Sequence, residues 1–141
     1  MALGQQERAF LNDKRFAVLA TVNSDGTAQQ TVMWYLLRGD QIIMNTARGR
    51  TKDRNLLRDR RVSICIEDEY RFVTIAGTVE LDDDQTTAQA DIAELAARYK
   101  SPDDAAEMIR SGFTKQHRIT LRLPVGSAVS HGFSESSEPE E

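Results

Sequence analysis

The chain has 141 residues, 40% hydrophobic and 28% charged, a length that suits one domain with a single core. No apolar run approaches the ~20 residues of a membrane-spanning helix, and residues 1–15 lack a secretory signal's basic start, apolar stretch and cleavage site, so a soluble cytoplasmic protein with no membrane partner is expected. Cys65 is the only cysteine, which excludes an internal disulfide or a zinc site built on cysteine pairs.

In chain order, Gln5 to Asn12 reads as a short helix with Leu3, Ala9 and Phe10 inward, capping one end of a barrel. FAVLATV, residues 16–22, is rich in strand-favouring residues, and Asn23, Ser24, Asp25 and Gly26 supply a tight hairpin turn. A second strand starts at Thr27, with Gln29, Thr31, Met33 and Tyr35 on one face and Gln30, Val32, Trp34 and Leu36 on the other. After the turn at Arg38, Gly39 and Asp40, residues 41–46 form a third strand, completing a three-stranded meander. Thr51 to Leu57 reads as a short helix that buries Leu56 and Leu57, and residues 62–67 as a fourth strand. Residues 71–81 make a long fifth strand, bent or bulged at Gly77.

Asp82, Asp83 and Asp84 precede a helix over about 86–99, an arrangement the helix dipole favours, with Ile92, Leu95, Ala96 and Tyr99 as its apolar stripe. A second helix begins at Ser101 and Pro102 and stops at Gly112. Residues 118–123 return to strand, and 124–133 add a last irregular one. Residues 1–133 form the single domain, and 134–141 are an acidic tail expected to be disordered. The fold class is mainly β with inserted helices, a closed or split barrel.

The formal net charge is −4, but the tail holds Glu135, Glu138, Glu140 and Glu141; without them, 18 acidic residues of 22 remain against 18 basic. Against that neutral body, residues 48–61 carry Arg48, Arg50, Lys52, Arg54, Arg58, Arg60 and Arg61 with only Asp53 and Asp59. A helix N-terminus is already partly positive, so Arg50 and Lys52 there are each unfavourable by roughly 0.3–1 kcal/mol unless an anion answers them. Backbone N–H groups of the 47–51 loop, the Thr51 hydroxyl and these two cations can converge on one phosphate; the alternative is a solvated helix whose charges serve solubility. The neutral body, with no helix-turn-helix or aromatic-interleaved RNA motif, argues against nucleic acid as a partner.

FAVLATVNSDGTAQQTVMWYLL followed by NTARGRTKDRNLLRDRRVSICI resembles the pyridoxamine 5'-phosphate oxidase-like split-barrel flavoproteins over about residues 9–125. The run Arg50, Thr51, Lys52, Asp53, Arg54, Asn55, Leu56 resembles the flavin/deazaflavin oxidoreductases that use coenzyme F420. The resemblance implies an FMN-binding split barrel and a homodimer with cofactor at the subunit interface. It implies hydride transfer from reduced F420 to an unsaturated or conjugated small molecule, with an FMN-dependent oxidoreductase or a non-catalytic carrier as alternatives. Arg50, Thr51 and Lys52 would hold the cofactor phosphate; Asn45, Thr46 and Ala47 would pass beside the ring and offer backbone donors. By the same resemblance Gln29 and Thr31 match ring-lining positions, Tyr70, Arg71 and Phe72 would come from the other subunit, and Arg118 is a candidate to meet the cofactor's acidic tail. Each has a plainer reading: Gln29 and Thr31 as exposed strand residues, Arg118 as a surface partner of a carboxylate.

Because the cofactor carries the chemistry, no catalytic constellation is required and no catalytic residue is assigned. His117 and His131 read as structural or exposed, and Cys65 as a small core residue or an inert outward one. Trp34, Tyr70 and Phe72 fit either a flat substrate or the core. After Pro124 there is no Arg-Leu-His substrate-phosphate motif, which argues against oxidation of pyridoxamine phosphate.

Overall fold

Two antiparallel sheets divide the chain in the computed structural model, which describes residues 3–133. Helix α1 (Gln5–Asn12) leads into β1 (Ala17–Val22) and β2 (Ala28–Met33), then β3 (Leu36–Arg38), β4 (Gln41–Ala47) and α2 (Thr51–Arg58). Strands β5 (Arg61–Asp68), β6 (Arg71–Thr78) and β7 (Glu80–Asp82) follow, then α3 (Gln85–Tyr99), α4 (Pro102–Ser111), a 3₁₀ turn, β8 (Arg118–Pro124) and β9 (Val129–His131). One sheet has the order β2-β1-β5-β6-β9 and the other β3-β4-β8-β7. This is a split barrel whose two sheets do not close on one another. The expected disorder of residues 134–141 lies outside the described residues.

The predicted meander is corrected at Trp34 and Tyr35. Strand β2 pairs with β1 and stops at Met33; the chain then crosses to the other sheet, where β3 pairs with β4. The predicted long fifth strand is likewise cut at Val79, whose N–H donates to the Arg60 carbonyl at 3.0 Å, and β7 belongs to the second sheet. Gly77 sits just before this corner, where an added Cβ would come within 3.2 Å of Leu123 Cδ1. Both corners are where local residues still favour a strand but the barrel turns.

Alternation along the strands places Ala17 and Leu19 of β1, Ile64 and Ile66 of β5, Ile42 and Met44 of β4, and Ile119, Leu121 and Leu123 of β8 in one core. Phe10 and Leu11 of α1 close its end, whereas Ala9 is exposed. On the outer face of the second sheet, Ile92, Leu95 and Tyr99 of α3 pack on Leu36 and Ile43. Asp84 caps α3 by accepting the Thr87 N–H at 3.0 Å, and Ser101 caps α4 by accepting the Asp104 N–H at 3.1 Å. Leu56 is buried under α2 while Leu57, predicted to join it, is 57% exposed.

Tyr99 ties the crossing between the sheets. Its hydroxyl accepts the Tyr35 N–H at 3.1 Å and contacts the Arg15 carbonyl, while the Tyr35 hydroxyl donates to the Leu11 carbonyl at 2.9 Å. Replacing Tyr99 with Phe leaves a buried Tyr35 N–H without its acceptor, a cost of about 1–3 kcal/mol. Urea unfolding of Tyr99→Phe is expected to show that loss; an unchanged midpoint would show that this hydroxyl does not hold the corner.

Candidate functional site

The site grows from the way β4 ends. Strand β4 pairs with β8 from Gln41↔Pro124 to Ala47↔Arg118, and β3 covers its other edge only from Gln41 to Ile43. The Arg48 N–H donates to the His117 carbonyl at 2.8 Å. Antiparallel alternation then turns the backbone of Thr46 toward β8 and the backbones of Asn45 and Ala47 toward the edge that β3 leaves uncovered. The side chain of Thr46 points to the barrel interior, where its Oγ1 is buried without a hydrogen-bond partner among the described residues.

Past Ala47 the chain turns through Gly49, whose φ of +94° favours glycine, into α2. Asp53, 1% exposed, fixes this loop: its Oδ2 accepts the Gly49 N–H at 2.7 Å and lies 3.3 Å from Arg48 Nε. A carboxylate three residues past the N-cap here reaches one residue further back than in a capping box, to the Gly49 N–H instead of the N-cap's own. The N-cap itself is Arg50, whose side chain makes no cap, so α2 starts with N–H groups that no side chain covers.

The basic run divides by partner. Arg48 pairs with Asp53 and Asp83, Arg61 with Asp59 at 2.7 Å, and Arg58 donates to the Val22 carbonyl at 3.0 Å. Arg54 bonds the Gly49 carbonyl. Arg50 and Lys52 meet no carboxylate among the described residues, and Lys52 is only 8% exposed. Burial, then Arg50 and Arg118, push the Lys52 ammonium below its usual range.

Arg118 corrects the surface reading of that residue. It is 3% exposed, no carboxylate among the described residues pairs with it, and burial followed by the charge of Arg50 pushes its pKa down to about 10. Its Nε donates to Asn45 Oδ1 at 2.9 Å, one Nη to Gln116 Oε1 at 2.6 Å, and its Cζ lies 4.9 Å from the Phe113 ring centroid. Three cations thus stand near one another at the start of α2, two of them buried, with nothing in the described chain to neutralise them.

Gln29 and Thr31 sit on the same inner face of β2, half-buried rather than exposed. The Thr21 hydroxyl donates to Gln29 Oε1 at 3.1 Å and accepts from Asn55 Nδ2 at 3.0 Å, which ties this face to α2. Thr31 Oγ1 is buried with no partner among the described residues. Orphaned hydroxyls at Thr31 and Thr46 and the unanswered cations fit a ligand with an anionic end and a polar ring edge.

Tyr70 and Phe72 are not part of this grouping within one chain. Strand β5 leaves the end of α2 and runs for roughly 23 Å before the turn that carries Tyr70, at the strand rise of about 3.3 Å per residue. Tyr70 is 72% exposed, and Phe72 stacks on His131 with centroids 5.0 Å apart. A cleft of about 560 Å³ near that turn is lined by Asp13, Arg15, Phe16 and Asp68, far from the cations. Trp34 is structural, stacked on Tyr99 at 5.3 Å, and the Cys65 thiol is pushed up by burial and then by Glu67.

Buried cations with no partner destabilise a fold. Lys52→Met, which keeps the length and removes the charge, is expected to raise the unfolding midpoint of the unliganded protein, by roughly 2–4 °C for each kcal/mol regained. A lower midpoint in a calorimetric scan would show that the chain itself already answers the ammonium.

A family model described as pyridoxamine 5'-phosphate oxidase matches residues 3–119. Among solved structures, a conserved hypothetical protein of Mycobacterium tuberculosis is 26% identical, with all of this chain and 92% of that one aligned at a TM-score of 0.77. An F420 reductase is 24% identical over 90% of this chain and 98% of its own, with a TM-score of 0.71. A heme storage protein from Vibrio cholerae is 21% identical over 95% of this chain and 98% of its own, with a TM-score of 0.70. The last two share the fold, and their activities differ from each other. With the family match spanning most of its length, this chain belongs to the pyridoxamine 5'-phosphate oxidase family of split-barrel proteins.

Proposed function

We propose that this protein is an oxidoreductase that binds coenzyme F420 and reduces an unsaturated or conjugated small molecule. The observation that carries the reading is the trio Arg50, Lys52 and Arg118, gathered near the start of α2 and paired with no carboxylate among the described residues. A cofactor phosphate would lie there, held by Arg50, Lys52 and the Thr51 hydroxyl, with Arg118 taking a second anionic group. Backbone N–H groups of Asn45 and Ala47 face the open edge of β4 and would meet the carbonyl edge of the ring, with Thr46 Oγ1 beneath. Gln29 and Thr31 would line its other side. Bound in its reduced form, F420 would supply a hydride from its ring carbon. The chain's own residues bind it, orient it and keep water out, which needs no nucleophile or acid-base pair.

The one-chain geometry supports a homodimeric reading as well. Within the chain Tyr70 and Phe72 sit at the far end of β5 and β6, so they would reach a ring bound at this site only from a second copy. FMN is the second reading, favoured by the charge: three cations suit a dianionic phosphate monoester as well as they suit F420.

Titration of the purified protein with F420 and with FMN, followed by the change in ligand fluorescence, separates the two. Binding of F420, with oxidation of the reduced cofactor by members of a panel of enones and quinones, is the expected result; tight FMN with no F420 binding sinks the deazaflavin assignment. Lys52→Ala and Arg50→Ala are each expected to weaken the bound cofactor by about 1.5–3 kcal/mol, the range for a charged hydrogen bond. Unchanged affinity in both variants would remove the anchor from α2.

A further inference from the structure

On the proposed reading that Arg118 contacts a ligand anion, we propose that Asn45 is a specificity-determining positioning residue, oriented by Thr120 and Asp91 so that a neutral amide holds this guanidinium. A carboxylate in the place of Asn45 would bind Arg118 more strongly and would also cancel the charge the ligand needs. Among the described residues, the groups that hold the Arg118 guanidinium are neutral: the Asn45 amide, the Gln116 amide and the Phe113 ring. No hydrogen bond from its Nη2 is made within the described residues, so donors remain for a ligand.

The orientation of the Asn45 amide follows from one carboxylate. Asp91, 5% exposed, can only accept when ionised, so the Thr120 hydroxyl proton is directed to Asp91 Oδ2 at 2.7 Å. Thr120 Oγ1 is then left as an acceptor, and Asn45 Nδ2 donates to it at 3.3 Å and to the Ala88 carbonyl at 3.0 Å. With both amide protons spent, only Oδ1 can face Arg118. The chain of bonds therefore has one direction, from Asp91 through Thr120 and Asn45 to the guanidinium. The negative charge stays behind: Asp91 Oδ1 is 3.0 Å from Arg38 Nη2, which also lies 2.8 Å from Glu94. Asp91 thus polarises the line without neutralising its far end.

The test compares each cofactor with its phosphate-free counterpart, riboflavin for FMN and the deazariboflavin chromophore for F420, on wild type, Asn45→Asp, Thr120→Val and Thr120→Ser. Asn45→Asp is expected to bind the wild type's cofactor about tenfold or more weaker, in the range for a lost charged hydrogen bond. Affinity for the phosphate-free counterpart should stay within about twofold. Thr120→Val should lose part of the same selectivity and Thr120→Ser restore it, which keeps the test open if Asn45→Asp folds poorly. A purely structural role would weaken both ligands together, and that result overturns the proposal. Wild-type selectivity retained in Asn45→Asp overturns it alone, whereas no cofactor binding by the wild type overturns the cofactor reading with it.

Discussion

The seven-residue ladder between β4 and β8 is the constraint on which the rest depends. Both strands are covered on both faces, by the barrel core on one side and by α3 on the other. A polar side chain placed there must find a partner or lose several kcal/mol of solvation. Ile42, Met44, Ile119, Leu121 and Leu123 obey by being apolar. Asn45, Thr120 and Arg118 obey by bonding one another and α3. Thr46 does neither, and it stands at the end of the ladder where the cover from β3 has already stopped. The candidate site is where the ladder's demand for satisfied polar groups is left open.

The same point sorts the charges. A basic run looks uniform along the sequence, yet its members have three fates: pairing with an acid, bonding a backbone carbonyl, or standing free. Asp53 is decisive because it takes Arg48 and the Gly49 N–H at once, which leaves Arg50 to occupy the N-cap and Lys52 to be buried in the first turn. A different acid position in this loop would have neutralised these cations. The remaining cation, Arg118, arrives from a strand far along the chain and completes the group because Ala47 and Arg118 are register partners.

Much of the fold was legible because it is written in local patterns. The hairpin turn at Asn23 to Gly26, the caps Asp84 and Ser101, and the stripe of Ile92, Leu95, Ala96 and Tyr99 each follow from spacing within a few residues. The corners at Trp34 and Val79 were not legible, since the residues there favour strand and only the crossing from one sheet to the other interrupts them. Leu57 failed for the opposite reason: two adjacent leucines on a short helix cannot both face the core. In the candidate site, the unpaired cations at the start of α2 were legible from charge against the helix dipole, whereas the burial of Arg118 depends on strand register across the chain. Asp91 left one signal, a lone acid at a stripe position between Ala88 and Ile92, without saying which partner it would meet.

Placing cations where no described residue neutralises them works against folding. A ligand anion that answers Lys52 and Arg118 binds only the folded chain, because in the unfolded chain they are 66 positions apart and solvated. Affinity for the ligand and instability of the empty protein then share one origin. Any substitution that quiets the cluster from within moves both in opposite directions, toward a firmer fold and a weaker site. The neutral bracket of Asn45, Gln116 and Phe113 follows from that opposition: it holds Arg118 rigid by packing and dipoles, the only means that fix the position of a charge without reducing it.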